Sequence, residues 1–408
     1  MRTLYLSGHG VSLRVENARL LIRDGCEFER ANPCEYELKP KYDEYDNIVI
    51  YGHSGNITLE ALKWLSKQNI QLTILNWDGR LLASITIPEP KAGGTRLAQY
   101  QAFSSERRLE IARKIIDAKI RMSIATLDWM VQRYPELKDS KKSCFDELAL
   151  YQSKLPEADS IAKIRGVEGM VARNYWLIVA ETFDKKWEFE GRVFGKTGRP
   201  MAAVDPINAL FNYGYSLIEA QCWRAINANG LDPYIGFVHE TAPGKSPLAY
   251  DLQEPFRWMA DVAVISALER NVFEKKDFIR TDNYVLRIRP EGVKKLLQEI
   301  NSVLTSKVDF KGKSWEWGYV IGQKTGELAD YIVGKRSTLD LASPAPNMDR
   351  TDSAELRQTI ENMTYAQWQK MGFSKGTLHN LKKRAKSNES FRVYGKVRGR
   401  LGEQSGRT

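Results

Sequence analysis

The pattern of apolar and polar positions changes character twice along the chain. The first ninety or so residues read mostly as strand, with a short β-rich run at 47–51. Runs at 70–76 and 80–87 flank Trp77-Asp78-Gly79. Asp-Gly between apolar runs predicts a hairpin, because glycine supplies the positive φ of a tight turn. Between these strands Thr58 can cap a short helix carrying Leu59, Leu62 and Leu65. Pro88, Pro90, Gly93 and Gly94 read as a linker.

Beyond residue 95 the spacing becomes helical. Within 105–132, Leu109, Ala112, Ile116 and Ile120 recur on one face, and Arg107, Arg108, Arg113, Lys114 and Arg121 fill much of the remainder. Helical patterns also cover 160–183, 206–228, 247–270 and 292–305. A Ser-, Pro- and Asp-rich stretch at 343–353 marks a second boundary. The fold class expected is therefore α+β and multidomain. A small β-rich N-terminal domain spans 1–95, an all-helical domain 96–340, and a basic C-terminal domain 345–408.

That last segment has its own pattern. Thr364 can cap a short helix through Lys370, Met371-Gly372-Phe373 reads as a turn, and Ser374 can cap a second helix through Lys386. Trp368, Phe373, Leu378 and Leu381 would form a small core, with Lys375, Asn380, Lys382 and Lys383 outward. Helix, tight turn and basic helix is the arrangement of a helix-turn-helix reader of the DNA major groove. A basic amphipathic hairpin that reads no bases is the alternative.

Charge strengthens the first reading. The chain carries a net charge of +10. From Lys370 to Thr408 there are eleven Lys or Arg against two Glu, so the tail holds nearly all of the excess. A polyanionic partner follows, with nucleic acid the leading candidate. No run approaches the ~18 apolar residues that a membrane span needs, and no signal peptide is read, so no membrane role is expected. Cys26, Cys34, Cys144 and Cys222 form no closely spaced pair, which points away from zinc and disulfides and toward a reduced, cytoplasmic protein.

Of the four histidines, His9, His53 and His379 read as structural or surface residues. His239 differs, because it ends the apolar run 235–238 just before a Pro-Gly loop and a new helix, where a side chain can line a cleft. Ser246 and Pro247 open that helix. Asp251 and Glu254 then share one face, and two carboxylates so placed need a cation between them. A divalent metal is one solution and Arg257 another. Pro255 should kink the helix directly after Glu254. Glu168 stands between Gly166 and Gly169 inside a helical pattern, where each glycine costs roughly 1 kcal/mol against alanine. An apolar setting demands a partner for that carboxylate. Arg165 or Arg173 could serve, and so could a metal. Two glutamates and a histidine suit Mg²⁺ or Mn²⁺, so Glu168, His239 and Glu254 are the expected metal ligands, with Asp251 in support. No nucleophile motif is present.

Segments 52–59, 75–82, 166–176, 208–215, 236–239 and 250–257 resemble, in order and spacing, the CRISPR-associated integrase family, over about residues 1 to 335. The resemblance implies a β-rich domain before an all-helical catalytic domain, a homodimer and a divalent metal. It further implies transesterification of a DNA 3′-hydroxyl into double-stranded target DNA. The family's metal ligands fall on Glu168, His239 and Glu254. The tail resembles that of the casposases, transposon-encoded relatives that insert elements carrying terminal inverted repeats. A CRISPR adaptation integrase, inserting spacers with a second subunit, is the alternative. A non-enzymatic DNA-binding protein is a third reading. Pro255 departs from relatives that carry a second acidic residue there.

Overall fold

Alternation of buried and open positions along β1 (Thr3–Glu16) buries Leu4, Leu6, Val11 and Leu13 and builds the first face of a sheet. In this computed structural model the described residues are 3–26, 34–41, 45–76, 81–85, 93–134, 137–189, 191–192, 203, 205–280, 286–344, 360–370 and 374–386. β2 (Arg19–Arg23), β3 (Glu35–Leu38), β4 (Asn47–Ile57), β5 (Gln71–Leu75) and β6 (Leu81–Ile85) complete a six-stranded sheet of order β3-β2-β1-β4-β5-β6. β4 runs parallel to both β1 and β5, while the other pairings are antiparallel. Such a parallel step needs a crossover, and α1 (Leu59–Gln68) supplies it between β4 and β5. Thr58 caps α1 as expected, accepting a hydrogen bond from Ala61 N at 3.1 Å. The face it buries is carried by Ala61, Trp64 and Leu65, whereas Leu59 is exposed. β5 and β6 pair as the hairpin pattern requires, and the Trp77-Asp78-Gly79 turn lies outside the described residues.

Helices dominate thereafter. α2 (Gly93–Phe103) corrects the linker reading, since Gly93 and Gly94 are its first residues; Pro88 and Pro90 lie outside the described residues. The other helices are α3 (Arg107–Arg133), α4 (Lys138–Lys154), α5 (Ile161–Glu181), α6 (Pro206–Ala228), α7 (Pro247–Gln253), α8 (Trp258–Glu269), α9 (Pro290–Leu304) and α10 (Trp317–Ile332). Ser160 and Asp205 cap α5 and α6 through their side chains, whereas Ser246 makes no such bond to α7. Two small hairpins, β7 (Phe278–Arg280) with β8 (Leu286–Ile288) and β9 (Lys307–Phe310) with β10 (Lys313–Glu316), flank α9. α6 is buried over most of its length and packs against α7, α8 and α10. The result is an α+β fold, sheet first and helical body second.

Packing divides the chain into two units, Met1–Ala345 and Pro346–Thr408. In the first, sheet and helices are joined by polar contacts: Lys294 of α9 pairs with Asp24 at 3.4 Å, and Gln71 of β5 donates to Ala220 O at 3.4 Å. The second contains α11 (Tyr365–Lys370) and α12 (Lys375–Lys386). Trp368 is fully buried there, and its Nε1 donates to Ser374 O at 2.8 Å. Leu378 and Leu381 are buried with it, while Met371-Gly372-Phe373 lies outside the described residues.

A single side chain of α2 fixes the loop that carries His239. Gln99 is fully buried, donates to Asp232 O at 2.9 Å and Ile235 O at 2.7 Å, and accepts from Asp232 N at 2.7 Å. Replacing it by an apolar isostere strands three backbone groups. Gln99→Leu is expected to lower unfolding stability by about 2–4 kcal/mol. Urea denaturation checks this, and a change under about 0.5 kcal/mol would contradict the clamp.

Candidate functional site

α3 is the longest helix, and it packs against both α5 and the turn at Glu254–Phe256. Its inward face carries Ala112, Ile115, Ile116 and Met122, all buried. Lys119 falls on that face. Its ammonium meets two carboxylates at once: it pairs with Glu168 Oε1, and its Nζ lies 2.6 Å from Glu254 Oε2. Burying an ammonium is tolerable only when opposite charge comes with it. Glu168 projects from α5, and its ion-pair partner is Lys119 rather than the neighbouring Arg165 or Arg173, which are exposed.

Glu254 is 5% exposed. The pattern read as one kinked helix over 247–270 is broken here. α7 ends at Gln253, Glu254–Phe256 form a single 3₁₀ turn, and α8 starts at Trp258. Pro255 has no N–H to continue the α-helical ladder, which explains the break. Arg257 then reaches back, its Nη1 donating to Glu254 Oε1 at 3.0 Å. The guanidinium lies 4.1 Å from the centre of the Tyr215 ring, a cation–π contact. Tyr215 in turn donates its hydroxyl to Asp261 Oδ1 at 2.5 Å, and Tyr175 donates to Asp261 Oδ2 at 2.8 Å. Burial alone would raise the Glu254 pKa, but Lys119, Arg257 and His239 together hold it well below the usual carboxylate range.

Asp251 does not share a cation with Glu254. Fully buried, it spends both oxygens on the segment before its own helix. Oδ2 accepts from Phe237 N and from Val238 N at 3.0 Å; Oδ1 accepts from His239 N at 2.9 Å and lies 2.7 Å from His239 Nδ1. A carboxylate thus folds a bent segment around itself and fixes the imidazole at its end. Gly236 permits the approach, because a Cβ there would sit 2.7 Å from Pro247 Cβ and 2.9 Å from Asp251 Oδ2. Arg108 of α3 adds a bond from Nε to Phe237 O at 3.3 Å. The His239 pKa is raised: burial lowers it, and the hydrogen bond and charge of Asp251, with Glu254, more than compensate.

Of the expected residues, then, Glu168 and Glu254 are joined through Lys119, and Asp251 anchors His239. The charges of Glu254 and Lys119 both act on the His239 ring. No three His, Cys, Asp or Glu side chains converge on one cation position among the described residues. The donor set nonetheless suits a hard divalent cation, with two carboxylates and an imidazole. Glu254 Oε2 is buried and takes no hydrogen bond of regular geometry, facing only the ammonium. Sequence reading missed Lys119 and the Tyr175–Tyr215–Asp261 support. The signal for Lys119 was a lone lysine on the apolar stripe of α3. In the second unit, Asn380 and Lys383 are exposed on α12. Lys375 lies 5.5 Å from the Tyr365 ring centre, and Lys382 donates to Glu361 O at 2.8 Å, so Lys382 has a role in the local fold. All four cysteines are free, and no described helix is long and apolar enough to cross a membrane.

Comparison with known proteins places this arrangement. The solved structure of a casposase bound to integration product superposes with a TM-score of 0.81 and 44% identity, covering 90% of this chain and all of that one. A CAS1 protein from Thermotoga maritima shares the fold at a TM-score of 0.65 and 19% identity, over 82% of this chain and 97% of that one. In sequence, the CRISPR-associated endonuclease Cas1 of Korarchaeum cryptofilum is 34% identical over 65% of this chain and 77% of its own. The CRISPR-associated endonuclease Cas1 1 of Archaeoglobus fulgidus is 27% identical over 82% of this chain and 97% of its own. The family model described as CRISPR associated protein Cas1 matches residues 4–302, and the chain belongs to that family.

Proposed function

We propose that the chain is a divalent-metal-dependent DNA integrase that joins a DNA 3′-hydroxyl to a target phosphodiester and inserts an element bearing terminal inverted repeats. The observation that carries this is Glu168 and Glu254 meeting at Lys119, with Glu254 acting on His239, in a chain that a casposase bound to integration product matches over 90% of its length. The alternative, a CRISPR adaptation integrase, draws on the Cas1 endonucleases among its relatives. A homodimer acting on donor and target duplexes in the cytoplasm fits either. Purified protein alone, offered duplexes with inverted-repeat ends against plain short duplexes, separates the two. Preference for the repeats supports the casposase reading; a need for a second subunit supports the other.

Glu168, His239 and Glu254 would hold Mg²⁺ or Mn²⁺. Such an ion, when bound, lowers the pKa of a 3′-hydroxyl and offsets charge on the phosphate oxygens. Each joining step forms one P–O bond and breaks one, so no protein nucleophile is required. Asp251 lies against His239 Nδ1 and would accept its proton, which would fix the tautomer and leave Nε2 free for the ion. Arg257 holds Glu254 from behind, and Tyr215 with Asp261 holds Arg257. Asp251 and Asp261 are positioning residues.

The DNA itself would cross the open face of α5. Gly166 and Gly169 flank Glu168 there, and a Cβ at either meets nothing within 4 Å. No packing among the described residues explains two glycines in a helix. Close approach by a nucleic-acid backbone does, with exposed Arg165 and Arg173 alongside. The tail would add grip through Lys375, Asn380 and Lys383 of α12 as a helix-turn-helix reader.

Four outcomes follow. Glu168→Ala, His239→Ala and Glu254→Ala should each abolish strand transfer with DNA binding largely kept; near-normal joining by Glu168→Ala would remove the metal assignment. Since the protonated imidazole cannot ligate and the His239 pKa is raised in the metal-free protein, activity at limiting metal should fall as pH decreases and be restored by added metal. In Asp251→Asn that limb moves to lower pH, on a weaker background. Gly166→Ala and Gly169→Ala should each stabilise α5 by up to about 1 kcal/mol while lowering joining. Thermal melting and a strand-transfer assay on the same samples check this, and joining at the wild-type rate would refute the crossing. Deleting residues 353–408 should weaken DNA binding and flatten the salt dependence of log affinity by several units, near one per lost phosphate contact. Base contacts at Lys375 or Asn380 would instead relax preference among end sequences by roughly 1–3 kcal/mol each.

A further inference from the structure

Lys119 lies at the centre of this site, yet the proposed reaction does not use it. Its side chain is 11% exposed, on the buried stripe of α3, and it touches both Glu168 and Glu254. The two glutamates are paired as they stand. Glu168 and Glu254 face two cations, Lys119 and Arg257. A divalent cation added between the glutamates would crowd a third positive group beside Lys119 and Arg257 in a largely buried space, which is unfavourable. Withdrawal of one resident cation relieves that crowding.

Their settings decide which. Arg257 is pinned by Glu254 on one side and the Tyr215 ring on the other, and Tyr215 is itself tied to Asp261. Lys119 carries a compact charge on a flexible four-carbon stem. It stands beside Glu168, which is 28% exposed and so opens toward solvent. The ammonium also occupies the space between the carboxylate oxygens that would have to meet a common cation.

We propose that Lys119 is a built-in counter-ion of the Glu168–Glu254 pair, and that a divalent cation enters only by displacing its ammonium. The inference rests on the metal reading given above. It makes the site preassembled without metal, and it makes metal affinity lower than the two carboxylates and imidazole would provide unopposed. Lys119 is thus a competitor for the ligands and a keeper of their geometry.

The test compares wild type, Lys119→Met, Lys119→Arg and the double variant Lys119→Met with Glu168→Gln, all as full-length protein without DNA. Thermal melting is measured in chelator, and Mn²⁺ binding is followed by calorimetry and by loss of the free-ion electron paramagnetic resonance signal. Lys119→Met is expected to melt about 5–10 °C lower than wild type without metal, because two carboxylates lose their shared cation. It should bind Mn²⁺ at least about tenfold more tightly, and Mn²⁺ should raise its melting temperature by more than it raises that of wild type. Lys119→Arg should keep wild-type behaviour in both. The double variant should recover metal-free stability, which shows that any loss in the single variant is electrostatic and not a packing failure. Equal or weaker Mn²⁺ binding by Lys119→Met, with wild type binding well, would overturn the displacement. Absence of Mn²⁺ binding by every form, wild type included, would remove the metal reading and the displacement with it.

Discussion

Like charge held at close quarters is the constraint on which the rest of this site depends. Glu168 and Glu254 come from elements far apart in sequence, and they would repel in a space where water screens them poorly. Everything nearby answers that repulsion. α3 delivers a lysine between them, and Arg257 neutralises the deeper of the two. The tyrosine pair on Asp261 then keeps that arginine from swinging away. Removing one partner from such an arrangement is costly, because it leaves a buried charge uncompensated.

The fold supplies this geometry through a deliberate fault. A continuous helix over 247–270 would carry Glu254 along its own axis. Pro255 ends α7 instead, and a single 3₁₀ turn presents Glu254 to α3 before α8 resumes. The sheet lies in the same packing unit as these helices, attached by Asp24 to Lys294 and by Gln71 to α6. The second unit holds its own small core around Trp368.

Much of this was legible in the residues. Period-3.6 patterns placed α3, α5, α6 and α9 to within a few residues, because each has an apolar face facing one body. Pro255 announced the break, and His239, Asp251 and Glu254 were singled out by position alone. What stayed hidden depends on contacts between distant segments. Lys119 lies 49 residues from Glu168, so nothing local says that they meet. The partner of Asp251 was misjudged for a related reason: helical spacing put it beside Glu254, while the backbone N–H groups of 237–239 claimed both of its oxygens. The linker at Gly93 and Gly94 failed because two glycines at a helix start look like the end of structure. α4 and α10 escaped notice, α4 because its apolar positions are sparse and α10 because glycines and a buried lysine interrupt its stripe.

The segment 237–239 is folded on a carboxylate, with the amides that a sheet would pair given to Asp251 instead. Those three amide protons therefore have a protection factor of their own. Their exchange with deuterium reports the release of this segment from Asp251, a contact made with a side chain and not within a strand or helix. In this protein the histidine's readiness can be read in the isotope content of a three-residue stretch of backbone, with no reaction taking place.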